Sequence, residues 1–458
     1  MPRSAWKRRL LSVFPVLLIF ILVLLARAGS EERSKYFELD NGLKVFLYQR
    51  GNLPLVSISV SVNLGSKDET EETNGLVHIL EHIILFGGTQ FRTSEEVSQD
   101  IRRHGAYFNA HTSRDVITFD ISLPSEYADF ALENQKEILF NLKISREEVE
   151  KEKKVILEEI AQIKDDPIKY ATNLVFQHVY KNHPYQYPIY GRREVIESAT
   201  VDKIEKLYKT YFTPQNCSLA VVGDFKLDEM DAKVRRTFAE VEKRDHSLPS
   251  YEKASFLEKT VEIEHKMDVN LGYLVIGMSG PDFNHPDQYG VDVLVQILGR
   301  GVAPMLGYAL RGRRNLAYSA HMAFYPEKYG GAIIIYISTD PEKLKPARSE
   351  TIKFLKNSRR ERYSKEDFAP DEQMYILDFL ESAKNQLSLG FYEGREKSIN
   401  VANSLSRFLI LNESEENKGY LENIEAITSS DLRKIAGRYL ARGKYVIVSI
   451  LPSEKDKE

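Results

Sequence analysis

The chain has 458 residues, 42% apolar and 28% charged, the balance of an ordinary soluble protein with length for two or three domains. Its net charge is −4 with both signs interspersed, which argues against a nucleic-acid partner. Cys217 is the only cysteine, so an intramolecular disulfide and a cysteine-based zinc site are both excluded.

Arg3, Lys7, Arg8 and Arg9 precede an uncharged apolar run over residues 10–26, and Ala26-Arg27-Ala28 has the small-x-small form of a cleavage site. Residues 1–29 therefore predict a cleaved signal peptide or, because the run reaches the lower limit of a membrane span, an uncleaved anchor. Either way the remainder is expected to be exported: periplasmic, extracellular, or anchored outside the cytoplasm, touching the membrane only through this segment. No cysteine follows the run, which excludes a lipoprotein anchor.

From Tyr36 the pattern mixes strands and helices. Residues 44–49 and 57–63 alternate as strands, and an apolar helix around His78 follows. Residues 93–104 read as a helix capped by Thr93 and ended by Gly105. Two strands are expected at 107–112 and 116–123. Ser145-Arg146-Glu147-Glu148 has the form of a capping box and opens a helix to about Lys164. A helix at 200–212 and a strand at 218–222 close this half. Asn216-Cys217-Ser218 and Asn412-Glu413-Ser414 fit the glycosylation triplet, a pattern too common to carry weight.

The later half repeats the order. Strands are expected at 270–276, 317–324, 332–338 and 445–451, and helices at 287–298, within 364–411 and at 428–440. Setting Thr200 against Thr428 brings Ile204 onto Leu432, Lys206 onto Lys434, Leu207 onto Ile435 and Tyr211 onto Tyr439, with a strand following in both. A match at half the chain length indicates a tandem duplication. The fold class read from this is α+β, with two homologous domains at 30–245 and 254–458, divided in the charged stretch 243–253.

The chemistry concentrates in His78-Ile79-Leu80-Glu81-His82. His78 and His82 are four residues apart and share a helix face, and Glu81 joins it. Leu76, Val77, Ile79, Leu80, Ile83 and Ile84 surround them, so the helix is buried. Ionisable groups in that setting are costly unless paired or bound to metal. Zinc in a catalytic site takes three protein ligands and leaves one position for water. The helix from Ser145 carries Glu152 and Glu159 on the stripe of Val155, Ile156 and Ile163, whereas Glu150 and Glu158 point to solvent. His-x-x-Glu-His is the inverted zincin pattern, in which the glutamate is the general base rather than a ligand. The competing reading is two core histidines satisfied by hydrogen bonds, beside a surface helix with charge pairs such as Glu150 and Lys154.

With these residues in place, the chain from Tyr36 to Ser453 resembles the M16 (pitrilysin-like, inverzincin) metallopeptidases, of the two-domain type similar to processing-peptidase subunits. Gly75-Leu76-Val77-His78-Ile79-Leu80-Glu81-His82 and Phe86-Gly87-Gly88-Thr89 carry the likeness. It implies tandem α/β sandwich domains of the LuxS/MPP-like metallohydrolase fold, forming half of a clamshell. It implies one zinc per chain, with His78, His82 and Glu159 as ligands, Glu81 as base and Glu152 as a further functional glutamate. Gly105-Ala106-Tyr107-Phe108-Asn109-Ala110 resembles the family's edge strand, where Asn109 and Ala110 would take a peptide by main-chain hydrogen bonds. Arg311 and Tyr318 match an Arg-x6-Tyr pair that contacts substrate and stabilises an oxyanion. Taken alone, these last four residues read as ordinary strand and surface positions. The implied activity is zinc-dependent endopeptidase cleavage of peptides or unfolded segments. The expected assembly is a homodimer whose protomers exchange the Arg-Tyr pair, or an M16 heteromer. The competing functions are a non-catalytic core or assembly subunit, and a zinc-binding module without hydrolysis.

Overall fold

The computed structural model describes residues 33–51, 53–244, 248–301, 303–367, 378–411 and 419–453. The expected signal peptide or anchor at 1–29 and the triplet asparagine Asn412 lie outside these residues.

Two mixed sheets organise the chain. The first joins β1 (Ser34–Glu38), β2 (Lys44–Gln49), β3 (Leu55–Val62), β4 (Tyr107–Thr112), β5 (Ile117–Pro124) and β6 (Cys217–Gly223) in the order β1-β2-β6-β3-β5-β4. The second joins β7 (Val261–Met267), β8 (Gly272–Gly280), β9 (Ser319–Glu327), β10 (Gly330–Thr339) and β11 (Val446–Pro452) in the order β7-β11-β8-β10-β9. In each sheet one pair is parallel, β2 with β6 and β7 with β11, and the remaining pairs are antiparallel. Without β1 the two topologies superimpose strand for strand, the structural form of the duplication. The Thr200–Thr428 correspondence is physical as well, because each caps its helix by accepting from the backbone N–H three residues on.

Each sheet buries one face against helices of its own half, and the other face is covered by a helix from the opposite half. On β3, Val56, Ile58, Val60 and Val62 point into the first core, while Ser57, Ser59 and Ser61 point the other way. Helix Ser398–Leu411 lies on that serine side. Ser59 and Ser61 meet the Ser406 hydroxyl at 3.0 and 2.8 Å, and Ser218 donates to the Ser406 carbonyl at 2.6 Å. Reciprocally, Ala171, Val175, Phe176 and Val179 of helix Pro167–Val179 pack on Val275, Ile334, Val448 and Ile450 of the second sheet. The stretch 243–253 therefore lies between the two sheets in sequence but does not divide the packing.

Gly277 on β8 shows how close this exchange runs: a Cβ there would lie 2.1 Å from Val175 Cγ1. Gly277→Ala is expected to cost about 1–3 kcal/mol through overpacking. A thermal unfolding midpoint equal to the wild type would refute that packing argument.

One local reading is corrected, and one of the weightless triplets is placed. Val155 is 38% exposed, and the inward stripe of helix Arg146–Asp165 is Val149, Glu152, Ile156 and Ile160. One residue before Ile156, position 155 is turned about 100° around the helix and so falls outside the seam. Asn216 is buried, its amide donating to the Tyr211 and Asn63 carbonyls at 2.9 and 3.3 Å, so in the folded chain it is not a glycan acceptor.

Candidate metal centre

The motif helix, Leu76–Phe86, begins where the chain turns sharply at Gly75, whose φ of +116° is left-handed. A Cβ at Gly75 would also meet Ile196 Cδ1 at 2.5 Å. Glu69 closes this helix end: its carboxylate accepts from the Gly75 and Val77 N–H groups at 2.9 and 2.8 Å and from the Asn74 amide at 2.8 Å. An acid at a helix N-terminus satisfies free donors and complements the dipole. Burial nevertheless pushes its carboxyl up to about 8, with the donors pulling the other way.

The helix then presents His78 and His82 toward helix Arg146–Asp165. Their rings meet edge to face, with centroids 4.7 Å apart. Glu159 Oε2 lies 3.8 Å from His78 Nε2 and 3.9 Å from His82 Nε2. On the far side of the His82 ring, Nδ1 stands 3.0 Å from Glu152 Oε2. With Nδ1–H donating to that carboxylate, the Nε2 lone pair is aimed at Glu159's side. Glu81 is buried and accepts a hydrogen bond from the Thr112 hydroxyl on β4.

The electrostatics divide the groups by role. Burial and the neighbouring His82 drive the His78 imidazole down to about 4, so it is neutral and able to ligate. Its Nδ1 is buried without a hydrogen bond of standard geometry, and a backbone interaction with Tyr190 pulls weakly the other way. Burial also opposes charge on His82, but the bond to Glu152 and the charges of Glu159, Glu81 and Glu152 outweigh it and raise this imidazole. Burial raises the Glu81 carboxyl despite Thr112 and the histidines. For Glu152 burial is outweighed by the hydrogen bond and charge of His82, so its carboxyl lies below the usual range.

A zinc ion fits this donor set. His78, His82 and Glu159 each offer one ligand atom, all within 4.8 Å of one another. Tetrahedral zinc with ordinary bond lengths would hold such atoms roughly 3.3 Å apart, so small rotations close the site. The Nε2–Oε2 distances are too long for hydrogen bonds, which leaves these atoms free for a common ion.

The remaining candidates fall in two places. Asn109 and Ala110 lie on β4, the outer strand of the first sheet, three and two residues before the Thr112 that holds Glu81. Ala110 is buried, and the Asn109 amide lies 3.2 Å from the Tyr107 hydroxyl. Arg311 and Tyr318 are exposed in the second half, and Tyr318 donates to Asp340 Oδ1 at 2.6 Å. Neither makes a hydrogen bond or ion pair with His78, Glu81, His82, Glu152 or Glu159. The structure thus gathers five of the nine residues around one point, runs β4 past it, and leaves the Arg-Tyr pair unconnected to it within the chain. Sequence reasoning missed Glu69, Thr112 and Tyr190. None had a local signal: even Glu69 stands six residues ahead of the N-cap Gly75 and reaches the helix end only through the intervening turn.

A buried helix carrying two histidines and a glutamate, completed by a glutamate from a second helix and flanked by a free strand edge, has the arrangement of a zinc-hydrolase site. Comparisons with known proteins give the family. Residues 44–193 match the family described as Insulinase (Peptidase family M16), and residues 198–369 match the Peptidase M16 inactive domain. The chain is 29% identical over 388 residues to the uncharacterized zinc protease YmxG of Bacillus subtilis, covering 81% of this chain and 92% of that protein. It is 25% identical over 455 residues to zinc protease PqqE of Helicobacter pylori, covering 97% and 99%. Among solved structures, a protease from Helicobacter pylori superposes with a TM-score of 0.83 at 23% identity, over 92% of this chain and 99% of that one. A peptidase M16 inactive domain from Pseudomonas fluorescens gives 0.80 at 20% identity, over 93% and 99%. The chain belongs to the M16 peptidase family and has its two-domain α+β fold.

Proposed function

We propose that the chain is a zinc-dependent endopeptidase that cleaves peptides or unfolded protein segments. The observation that carries this reading is the convergence of His78, His82 and Glu159 beside Glu81, with Glu152 orienting His82. Zinc, when bound, supplies Lewis-acid activation of a water and of the scissile carbonyl. His78, His82 and Glu159 would hold it. Glu81 Oε2, fixed by Thr112 and raised by burial, takes the proton from the attacking water and returns it to the leaving amine. The unpaired edge of β4 offers main-chain donors and acceptors at Asn109 and Ala110 to an extended substrate. The test is cleavage of an unfolded protein by the purified, zinc-loaded full chain. Tight zinc binding with no cleavage of any peptide would favour the alternative, a non-catalytic core or assembly subunit.

Arg311 and Tyr318 make no hydrogen bond or ion pair with the cluster in their own chain, which supports assembly into a homodimer whose protomers lend this pair to each other; an M16 heteromer is the other arrangement. In the homodimer, mixing Glu81→Gln chains with Tyr318→Phe chains should restore activity that neither has alone, because one site in the mixed dimer keeps every group. No recovery on mixing, or an active monomer by mass in solution, would defeat that assembly. The basic and apolar segment at the N-terminus supports a location outside the cytoplasm, with the segment cleaved or retained as an anchor.

A further inference from the structure

A cleft of about 650 Å³ opens between the two halves beside the metal cluster. Two of its lining residues tie it to that cluster. Ile163 lies one turn beyond Glu159 on the same helix, and Tyr190 is the residue whose backbone acts on His78. Arg300 and His321 line it from the second half and Lys169 from the exchanged helix. The lining holds two cations and no carboxylate. Lys169 is 3.9 Å from Asp166 in an exposed pair of little strength. Arg300 makes no ion pair among the described residues. The acid whose charge it favours, Asp292, already accepts the Tyr420 hydroxyl at 3.1 Å. Burial lowers the His321 imidazole, so the positive character of the cleft rests on the two exposed long side chains.

We propose that this cleft binds a carboxylate of the substrate near the scissile bond, from an aspartate or glutamate side chain or from the peptide's own C-terminus a few residues away. The proposal rests on the endopeptidase reading. A guanidinium with no ion pair and an ammonium in only a weak exposed pair, both on an open cleft whose lining holds no carboxylate, are suited to charge-assisted hydrogen bonds with one.

The test uses paired peptides that differ only by Glu or Gln at the positions flanking the cleaved bond, each with a free and an amidated C-terminus. The zinc-loaded full chain should cleave the Glu member with kcat/KM roughly ten- to a hundredfold higher than the Gln member. Arg300→Glu should bring this ratio to one or below. Lys169→Glu, on a separate and exposed helix position, should lower it as well, so the outcome does not hang on the folding of one variant. A preference that follows the free C-terminus instead of Glu would support the proposal and identify the terminal carboxylate as the group bound. Equal cleavage of all four peptides by the wild type would overturn the cleft assignment and leave the endopeptidase reading intact. Failure of the zinc-loaded chain to cleave any peptide would overturn both.

Discussion

Glu81→Gln is expected to lower peptide cleavage by roughly a thousandfold while zinc remains bound at wild-type stoichiometry, since general acid–base catalysis contributes about 10²–10⁴-fold. The substitution keeps the shape of the side chain and its contact with Thr112, so little but the proton-accepting function changes. Burial raises the carboxyl without a tight charge partner, which suits a group that must take up a proton and give it back. The neutral amide should also fit the site at least as well as the carboxylate, and folding should be preserved. Metal analysis and a peptide assay on one preparation separate the possibilities. Cleavage retained within tenfold of wild type would remove Glu81 from the base role, whatever the metal content.

The second large effect is on the metal. Glu159→Gln should weaken zinc binding on the order of a thousandfold, from about 10–16 kcal/mol shared among four ligands at a zinc site. Activity should be lost with the metal and return in part at high zinc concentration. Glu159 is 40% exposed at its side chain, so the loss should not be confused with unfolding. Glu152→Gln makes the contrast. It keeps an oxygen to accept from His82 Nδ1 but removes the charge, and is expected to weaken zinc by about 10–100-fold. If titration with zinc ranked Glu152→Gln as the more damaging change, the assignment of ligand and supporting residue would have to be reversed.

Much of this was legible from residue pattern because the signals are local. Thr200 and Thr428 cap their helices in the two halves, and strand alternation located β2 and β4 to the residue. His78, Glu81 and His82 were visible because three ionisable groups on an apolar helix are conspicuous. What stayed hidden depends on partners distant in sequence. The apolar face of helix Pro167–Val179 requires a neighbour, but periodicity does not say which sheet provides it. The serines of β3 look like a solvent face, yet they are covered by Ser406 and its helix. Thr112 became part of the site only once β4 was laid beside the motif helix. Val155 was misplaced because a seam drawn from few residues leaves the helix phase loosely set.

The exchange of helices between the halves bears on how the chain holds together. Severing it near residue 248 would strip each sheet of the helix covering one face, exposing Val275, Ile334 and Val448 on one side and Ala220 and Val222 on the other. The loop between β4 and β5 adds a second tie, since Asp115 accepts from the Tyr185 hydroxyl at 2.6 Å and from the Lys328 backbone at 2.9 Å. The halves should therefore melt in one cooperative transition, and separately expressed halves should be insoluble alone and recover when co-expressed. The same geometry would follow from two copies of a single-domain ancestor that traded helices across a twofold axis and were later fused into one polypeptide.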